Sequence, residues 1–151
     1  MSGCRTLLAF DYGHKKIGVA VGQELTGAAH PLATLPTRKG EPDWEAISAL
    51  LQQWRPAALV VGLPLHLDGS EQDTTHAARR FANRLRGRYH LPVYFADERL
   101  SSMAALQLLR EQYQERKGRS QGVDAVAAQL ILETFFSHGD GEENKDGESI
   151  N

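Results

Sequence analysis

The run Leu7-Leu8-Ala9-Phe10, followed at once by Asp11-Tyr12-Gly13, constrains the fold more than any other stretch of the chain. Four consecutive apolar residues without alternation read as a strand covered on both faces, as at the centre of an α/β sheet. Asp11 stands at its carboxyl tip. Ligand crevices in open α/β sheets lie just beyond such tips, so a carboxylate there is positioned to hold a cation or meet a phosphate. Asp-x-Gly is also ordinary turn chemistry, and on this segment alone both readings stand.

The flanking pattern supplies the rest of a sheet. Ile17, Val19 and Val21 alternate with Gly18, Ala20 and Gly22, which predicts a second strand joined to the first through a tight turn at Tyr12-Gly13-His14. Residues 27–35 predict a third strand, and Pro31 inside it removes a ladder donor, which puts it at the sheet edge. Asp43 caps a helix whose Ile47, Leu50, Leu51 and Trp54 share one face, and Pro56 stops it. A second continuous apolar run at 57–62 then reads as a buried strand parallel to the first.

A breaker-rich loop over 62–70 leads to a helix with Ala77, Ala78, Phe81 and Leu85 on one face and Gly87 at its end. Residues 91–96 form a fifth strand that runs into Asp97-Glu98-Arg99. Ser101 or Ser102 caps a helix to about Leu109, residues 112–122 read as a polar loop, and a last helix spans about 120–136. Its stripe is Val123, Val126, Ala127, Leu130 and Ile131, with Asp124 on the border near the helix start. The expected architecture is α/β. It has a five-stranded mixed sheet, with the first three strands antiparallel, the fourth and fifth parallel to the first, and helices on both faces.

A chain of 151 residues is long enough to bury one core without staples, and residues 1–137 read as one domain. The 138–151 segment is acidic and nearly devoid of apolar residues, which predicts a disordered tail. Cys4 is the single cysteine, so no intrachain disulfide or CxxC metal site can form. With no long apolar span and no signal-like leader, the expected location is cytoplasmic. The net charge of -2 is unevenly distributed. Five acids after residue 137 leave a body with 16 basic and 14 acidic residues. Arg79, Arg80, Arg84, Arg86 and Arg88 fall in one acid-free run, which suits phosphate contacts or a solvated helix face.

Three carboxylates have related addresses: Asp11 ends the first strand, Glu98 follows the fifth, and Asp124 sits on the sheet-facing border of the last helix. If they converge, they form an oxygen-donor cluster suited to one or two Mg²⁺ or Mn²⁺ ions. Such ions activate water and clamp a scissile phosphate. Asp97 is less suited than Glu98, because neighbouring side chains of an extended segment point to opposite sides. Separately, each acid also reads as a cap or a helix-dipole partner. His14 and His66 occupy loops near the strand tips, where a histidine carries protons, touches phosphate or does neither. The glycines of the 62–69 loop would let its N–H groups approach a nucleic-acid backbone, but it lacks the GxxxxGK[ST] pattern, which excludes a P-loop.

Four stretches taken in order carry a family resemblance: Phe10-Asp11-Tyr12-Gly13-His14-Lys15-Lys16-Ile17-Gly18-Val19-Ala20, Gly62-Leu63-Pro64-Leu65-His66-Leu67-Asp68-Gly69-Ser70-Glu71-Gln72, Asp97-Glu98-Arg99-Leu100-Ser101-Ser102 and Asp124-Ala125-Val126-Ala127-Ala128. Together they resemble the YqgF family, also called RuvX. The resemblance implies an RNase H-like fold related to the RuvC resolvases. It also implies a metal-dependent nuclease acting on the 5′ end of precursor 16S rRNA, or a Holliday junction resolvase. Carried over by position, Asp11, Glu98 and Asp124 would be the metal-binding catalytic acids, with Mg²⁺ or Mn²⁺ as cofactor. Lys15, Lys16, Arg99, Arg79, Arg80 and Arg84 are the expected nucleic-acid contacts. Lys16 stands where the family commonly has arginine, His66 where asparagine is common, and Ser101-Ser102 where threonines are common; Lys16 keeps charge but loses the bidentate fork.

Three functions compete on these grounds. The first is the nuclease on structured RNA or branched DNA, as a monomer for rRNA or a symmetric dimer, at most a weak one, for paired cuts in a junction. The second uses the Asp-x-Gly hairpin as a nucleotide phosphate loop, as in actin-like ATPases, but those need two such domains and this chain has room for one. The third is a non-catalytic assembly factor that binds rRNA through its arginines.

Overall fold

The computed structural model describes residues 5–98, 121–138 and 142–143. Among these, the sheet order is β4-β3-β2-β1-β5-β6-β7. The strands are β1 (Thr6–Tyr12), β2 (Lys16–Gln23), β3 (Ala28–Arg38), β4 (Glu41–Pro42), β5 (Ala58–Leu63), β6 (Val93–Asp97) and β7 (Glu142–Glu143). The helices are α1 (Trp44–Trp54), α2 (Asp73–Tyr89) and α3 (Gln121–Ser137). The five expected strands pair as expected, β1 antiparallel to β2 and parallel to β5, and β5 parallel to β6. Two-residue strands extend the sheet at either side, so the expected count of five rises to seven.

The central position of β1 follows from its sequence. Leu7, Leu8, Ala9 and Phe10 are all fully buried, but their side chains divide between two cores. Leu8 and Phe10 pack with Ile47 of α1 and Phe81 and Leu85 of α2. Leu7 and Ala9 pack with Ile131, Leu132 and Phe135 of α3. Both faces of the sheet are therefore covered, and each fully buried leucine or phenylalanine contributes about 1.5–3 kcal/mol.

Several boundaries differ from the sequence expectation. The third strand runs on to Arg38 and is outermost only over its first part, because Thr37 and Arg38 pair with β4. Pro31 sits opposite Ala20 at a register shift in the β2–β3 ladder, the kind of irregularity at which a strand proline is accommodated. Helix α1 is capped as expected, with Asp43 Oδ1 accepting from Ala46 N at 3.1 Å. Helix α2 begins later than Ser70, with Gln72 as its N-cap. It also continues past Gly87 to Tyr89, where His90 takes the left-handed C-cap conformation. Gly87 costs about 1 kcal/mol inside a helix. Tyr89 offsets it by packing its ring, tilted, 6.4 Å from that of Trp44 and by a hydrogen bond of 2.8 Å with Ser48 Oγ.

The helix expected near 101–109 and most of the 112–122 loop lie outside the described residues. Of the expected tail, Glu142–Glu143 pair with β6, and the remainder is likewise outside them. No helix of the described residues is long and apolar enough to cross a membrane.

Candidate active site

The carboxyl ends of the parallel strands β1, β5 and β6 point the same way, and the candidate acids gather at that end. Asp11 lies directly opposite Gly18 of β2. On its other side, Phe10 pairs with Val61, so the next residue of β5, Gly62, flanks Asp11. Gly62 in turn pairs with Ala96 of β6. One row across the sheet therefore reads Gly18, Asp11, Gly62, Ala96.

Alternation decides which face this row presents. Leu7 and Ala9 meet α3, so Asp11, two residues on, shares that face. The two glycines leave a side-chain-free floor on either side of its carboxylate. Both are close-approach positions. A Cβ on Gly18 would collide with the backbone carbonyl of Asp124, and would lie 3.0 Å from Ala125 N. A Cβ on Gly62 would lie 2.6 Å from Glu98 Oε2 and would also clash with the Ile131 side chain. The first turn of α3 thus rests on Gly18, and the Glu98 carboxylate lies over Gly62.

Asp11, Glu98 and Asp124 are all partly buried. Each also has polar or charged partners in the surrounding structure. Asp97 takes the other direction: Phe95 belongs to the α2-side core and Ala96 to the α3-side core, so alternation carries Asp97 towards α2. The three acids supply only oxygen donors, the type that suits Mg²⁺ or Mn²⁺. Among the described residues, however, no three His, Cys, Asp or Glu side chains already form a group disposed to hold a metal ion. The residues fit the ion in donor type and in the glycine floor they border.

The expected nucleic-acid contacts separate. Lys15 is exposed in the β1–β2 turn and Lys16 half-buried at the start of β2, and the Lys15 carbonyl accepts from Thr37 N at 3.0 Å. Arg79, Arg80 and Arg84 ride on α2, on the opposite side of the sheet from α3. Arg79 pairs with Glu71 at 2.9 Å and lies 5.2 Å over the Phe95 ring. Arg84 grips Glu41 through two bonds of 3.0 and 2.7 Å. That pairing holds the Glu41 carboxyl below its usual range, with a further bond from the Trp44 indole. Arg99 lies outside the described residues.

The loop after β5 is also fastened. Thr75, fully buried, accepts from Gln72 N at 2.9 Å and donates to the Pro64 carbonyl. Asp68 Oδ1 accepts from the Ser70 amide and hydroxyl at 2.8 and 2.6 Å, which holds its carboxyl below the ordinary range. His66 is part of this turn through its backbone, receiving Gly69 N and donating to Ser70 O.

Sequence reasoning passed over Gly18 as a site residue and read Gly62 only as a loop glycine open to a nucleic-acid backbone, although glycine inside a strand is a signal of close backbone approach. It also passed over Lys39 and Gly40, whose signal is a two-residue hairpin loop between Arg38 and Glu41.

Comparison with known proteins bears on these features as a set. The family described as RuvX, Holliday junction resolvase, matches residues 5–138. A protein of Chromohalobacter salexigens named "Putative pre-16S rRNA nuclease" is 53% identical over 136 residues, covering 90% of this chain and 92% of its own. One of the same name from Escherichia coli O7:K1 is 50% identical, covering 92% and 99%. Among solved structures, Thermus thermophilus RuvC in complex with a Holliday junction substrate aligns with a TM-score of 0.53 at 17% identity, covering 92% of this chain and 99% of that one. The shared architecture is the RNase H-like fold.

Proposed function

The chain belongs to the RuvX family, and from the arrangement at its strand tips we propose that it is a divalent-metal-dependent endonuclease that processes the 5′ end of precursor 16S rRNA. The observation that carries this reading is the single row Gly18, Asp11, Gly62, with the Asp124 backbone against one glycine and the Glu98 carboxylate against the other. Three acids from distant parts of the sequence border one floor. Asp11, Glu98 and Asp124 would hold Mg²⁺ or Mn²⁺ there.

When bound, such an ion supplies positive charge to the phosphodiester and lowers the pKa of attacking water. The protein's part is to fix the acids. The β1–β2 ladder sets Asp11, the glycine contact sets the first turn of α3 and hence Asp124, and the end of β6 sets Glu98. The α3 helix and the apolar residues below the row exclude water from beneath the site. The β1–β2 turn supplies Lys15 and Lys16 for backbone phosphates.

The choice of rRNA rests on relatives about half identical over nine-tenths of the chain that carry the pre-16S rRNA name. A junction resolvase is the second reading, favoured by the family description. It requires a symmetric dimer for paired cuts. Cleavage of precursor 16S rRNA and of a four-way DNA junction, side by side with Mg²⁺ or Mn²⁺, tests both. Asp11→Asn, Glu98→Gln and Asp124→Asn should each abolish cutting while nucleic-acid binding persists. Equal residual cutting by all three variants would remove the nuclease assignment. Unaltered RNA affinity in a wild-type chain that never cuts would leave an assembly factor.

A further inference from the structure

A second basic site lies behind the acid row, on the α2 side of the same strand tips. Tyr12 immediately follows Asp11 and points to the opposite face, where its ring packs 5.0 Å from Phe81. Its hydroxyl donates to the Gly40 carbonyl at 2.6 Å. A cavity of about 260 Å³ opens there, lined by Tyr12, His14, Lys39, Arg80 and the Glu41–Arg84 pair among others. That is smaller than the clefts that bury drug-sized molecules.

The cavity is built rather than incidental. Lys39 and Gly40 form a two-residue turn between Arg38 and Glu41, with φ of 54° and 81°. Two successive positive φ values are the hairpin geometry that favours Asn-Gly or Gly-Gly. Lysine in that first position carries backbone strain, and strained residues that persist cluster at functional sites. Gly40 is pressed against the His14 imidazole, since a Cβ there would lie 3.0 Å from Nδ1. The turn is thereby tied to the end of β1 and to the β1–β2 turn, and it presents Lys39 at the cavity.

Charge decides what the cavity can take. Among the described residues Glu41 is the single acid in its lining, and Arg84 neutralises it. Arg80 and Lys39 have no carboxylate partner among the described residues. Two uncompensated positive charges therefore face one small polar cavity, with the Tyr12 ring and the His14 imidazole beside them.

We propose that this cavity is a second anchor for the substrate, seating a backbone phosphate away from the scissile bond, with Lys39 and Arg80 as its ligands. The proposal rests on the nuclease reading above and deepens it. Acids on one face and cations on the other make the nucleic acid cross the strand tips, so that one phosphate lies at Asp11 and another at Lys39. This gives Arg80 a role that its separation from the acid row otherwise denies it.

The test is binding in the Asp11→Asn background, so that cleavage does not intervene. Labelled RNA duplex with a single-stranded extension and a four-way DNA junction are titrated separately across a range of salt. Lys39→Asn keeps the turn geometry and Arg80→Gln keeps the helix, and circular dichroism checks both. The double variant should bind several-fold more weakly. Its log K against log salt slope should fall by about 1, the share of the single phosphate that the two cations neutralise together. The control double variant Arg55→Gln, Arg86→Gln removes two charges at the opposite ends of the strands and should leave the slope unchanged.

A greater loss with RNA than with the junction assigns the anchored phosphate to RNA, and the reverse assigns it to DNA. Equal losses from both double variants would reduce the effect to net charge and overturn the proposal. So would an unchanged slope in the Lys39, Arg80 variant while wild-type cleavage persists, an outcome that leaves the nuclease reading standing. Failure of the chain to bind either nucleic acid would overturn both.

Discussion

Gly18 and Asp124 meet backbone to backbone, the strand glycine lying directly under the carbonyl of the helix residue with no room for a methyl group between them. Because Gly18 is also the ladder partner of Asp11, one missing side chain sets the separation of two candidate ligands. Gly18→Ala cannot be absorbed by a rotamer change, since the atom it strikes is backbone. The first turn of α3 must move. The variant should lose about 1–3 kcal/mol of stability, towards the upper end, the usual cost of overpacking. Cleavage should fall further than the unfolded fraction explains, with a raised requirement for Mg²⁺, while nucleic-acid binding by the folded protein persists. Denaturant unfolding alongside a metal titration of cleavage checks both parts.

Gly62→Ala tests the other acid and should behave differently. The atoms a Cβ would strike there are the ends of the Ile131 and Glu98 side chains, which can turn away. The expected stability cost is near the lower end of the same range, about 1 kcal/mol. Glu98 is nonetheless pushed off the floor it shares with Asp11. A well-folded variant with strongly reduced cleavage is the expected result, and normal cleavage would show that Glu98 is not needed at that position.

Metal removal separates binding from chemistry. Several kcal/mol of charge stabilisation at the phosphate is typical of a catalytic cation, and each 1.36 kcal/mol is tenfold in rate. Chelation with EDTA should therefore lower cleavage by more than about 100-fold, with recovery on adding Mg²⁺ or Mn²⁺. Electrophoretic mobility shifts on the same RNA should persist in EDTA, because Lys15, Lys16, Lys39 and Arg80 do not depend on the ion. Undiminished cleavage in EDTA would exclude the ion from the reaction.

The addresses of the acids were legible in the sequence because strand ends are. An unalternating apolar run fixes β1 as central, and whatever follows it must stand at the sheet's carboxyl edge. That Glu98 and Asp97 take opposite faces was equally legible, since it needs only the two-residue period of a strand. What the sequence withheld is what arrives from elsewhere. Gly18 announces a close approach, but nothing near it in sequence says that the visitor is Asp124 on the last helix. Strand β4 is only two residues long, too short to show any period. Helix α2 overruns Gly87 because Tyr89 packs on Trp44 and Ser48, tertiary gains that local propensity does not contain.

The Glu41–Arg84 pair predicts a small acid sensitivity of the fold. Glu41 is held below its ordinary value of 4.5, first by the Arg84 guanidinium and then by the Trp44 indole. A carboxyl depressed in the folded state adds stability above its unfolded pKa, and that stability is lost as pH falls through the folded value. The pair is exposed, so the effect is modest and weakened by salt. Arg84→Gln should lose stability at pH about 7 and little at a pH below the depressed Glu41 value, narrowing the gap between the two. Urea midpoints at both pH values for the two proteins provide the measurement.

Lys39 offers the last prediction, in which stability and binding move in opposite directions. Its φ of 54° places a long side chain where asparagine or glycine is at home, and strain of this kind costs of order 1 kcal/mol. Lys39→Asn should therefore raise the unfolding free energy by several tenths to about 1 kcal/mol, because the Tyr12 to Gly40 bond and the strand pairing on either side are untouched. The same substitution removes one of the two uncompensated charges at the cavity and should weaken nucleic-acid binding at low salt. A variant that gains stability and loses affinity would mean that the strained lysine is kept for what it binds. A variant that loses stability would mean instead that the Lys39 stem packs usefully against the cavity wall.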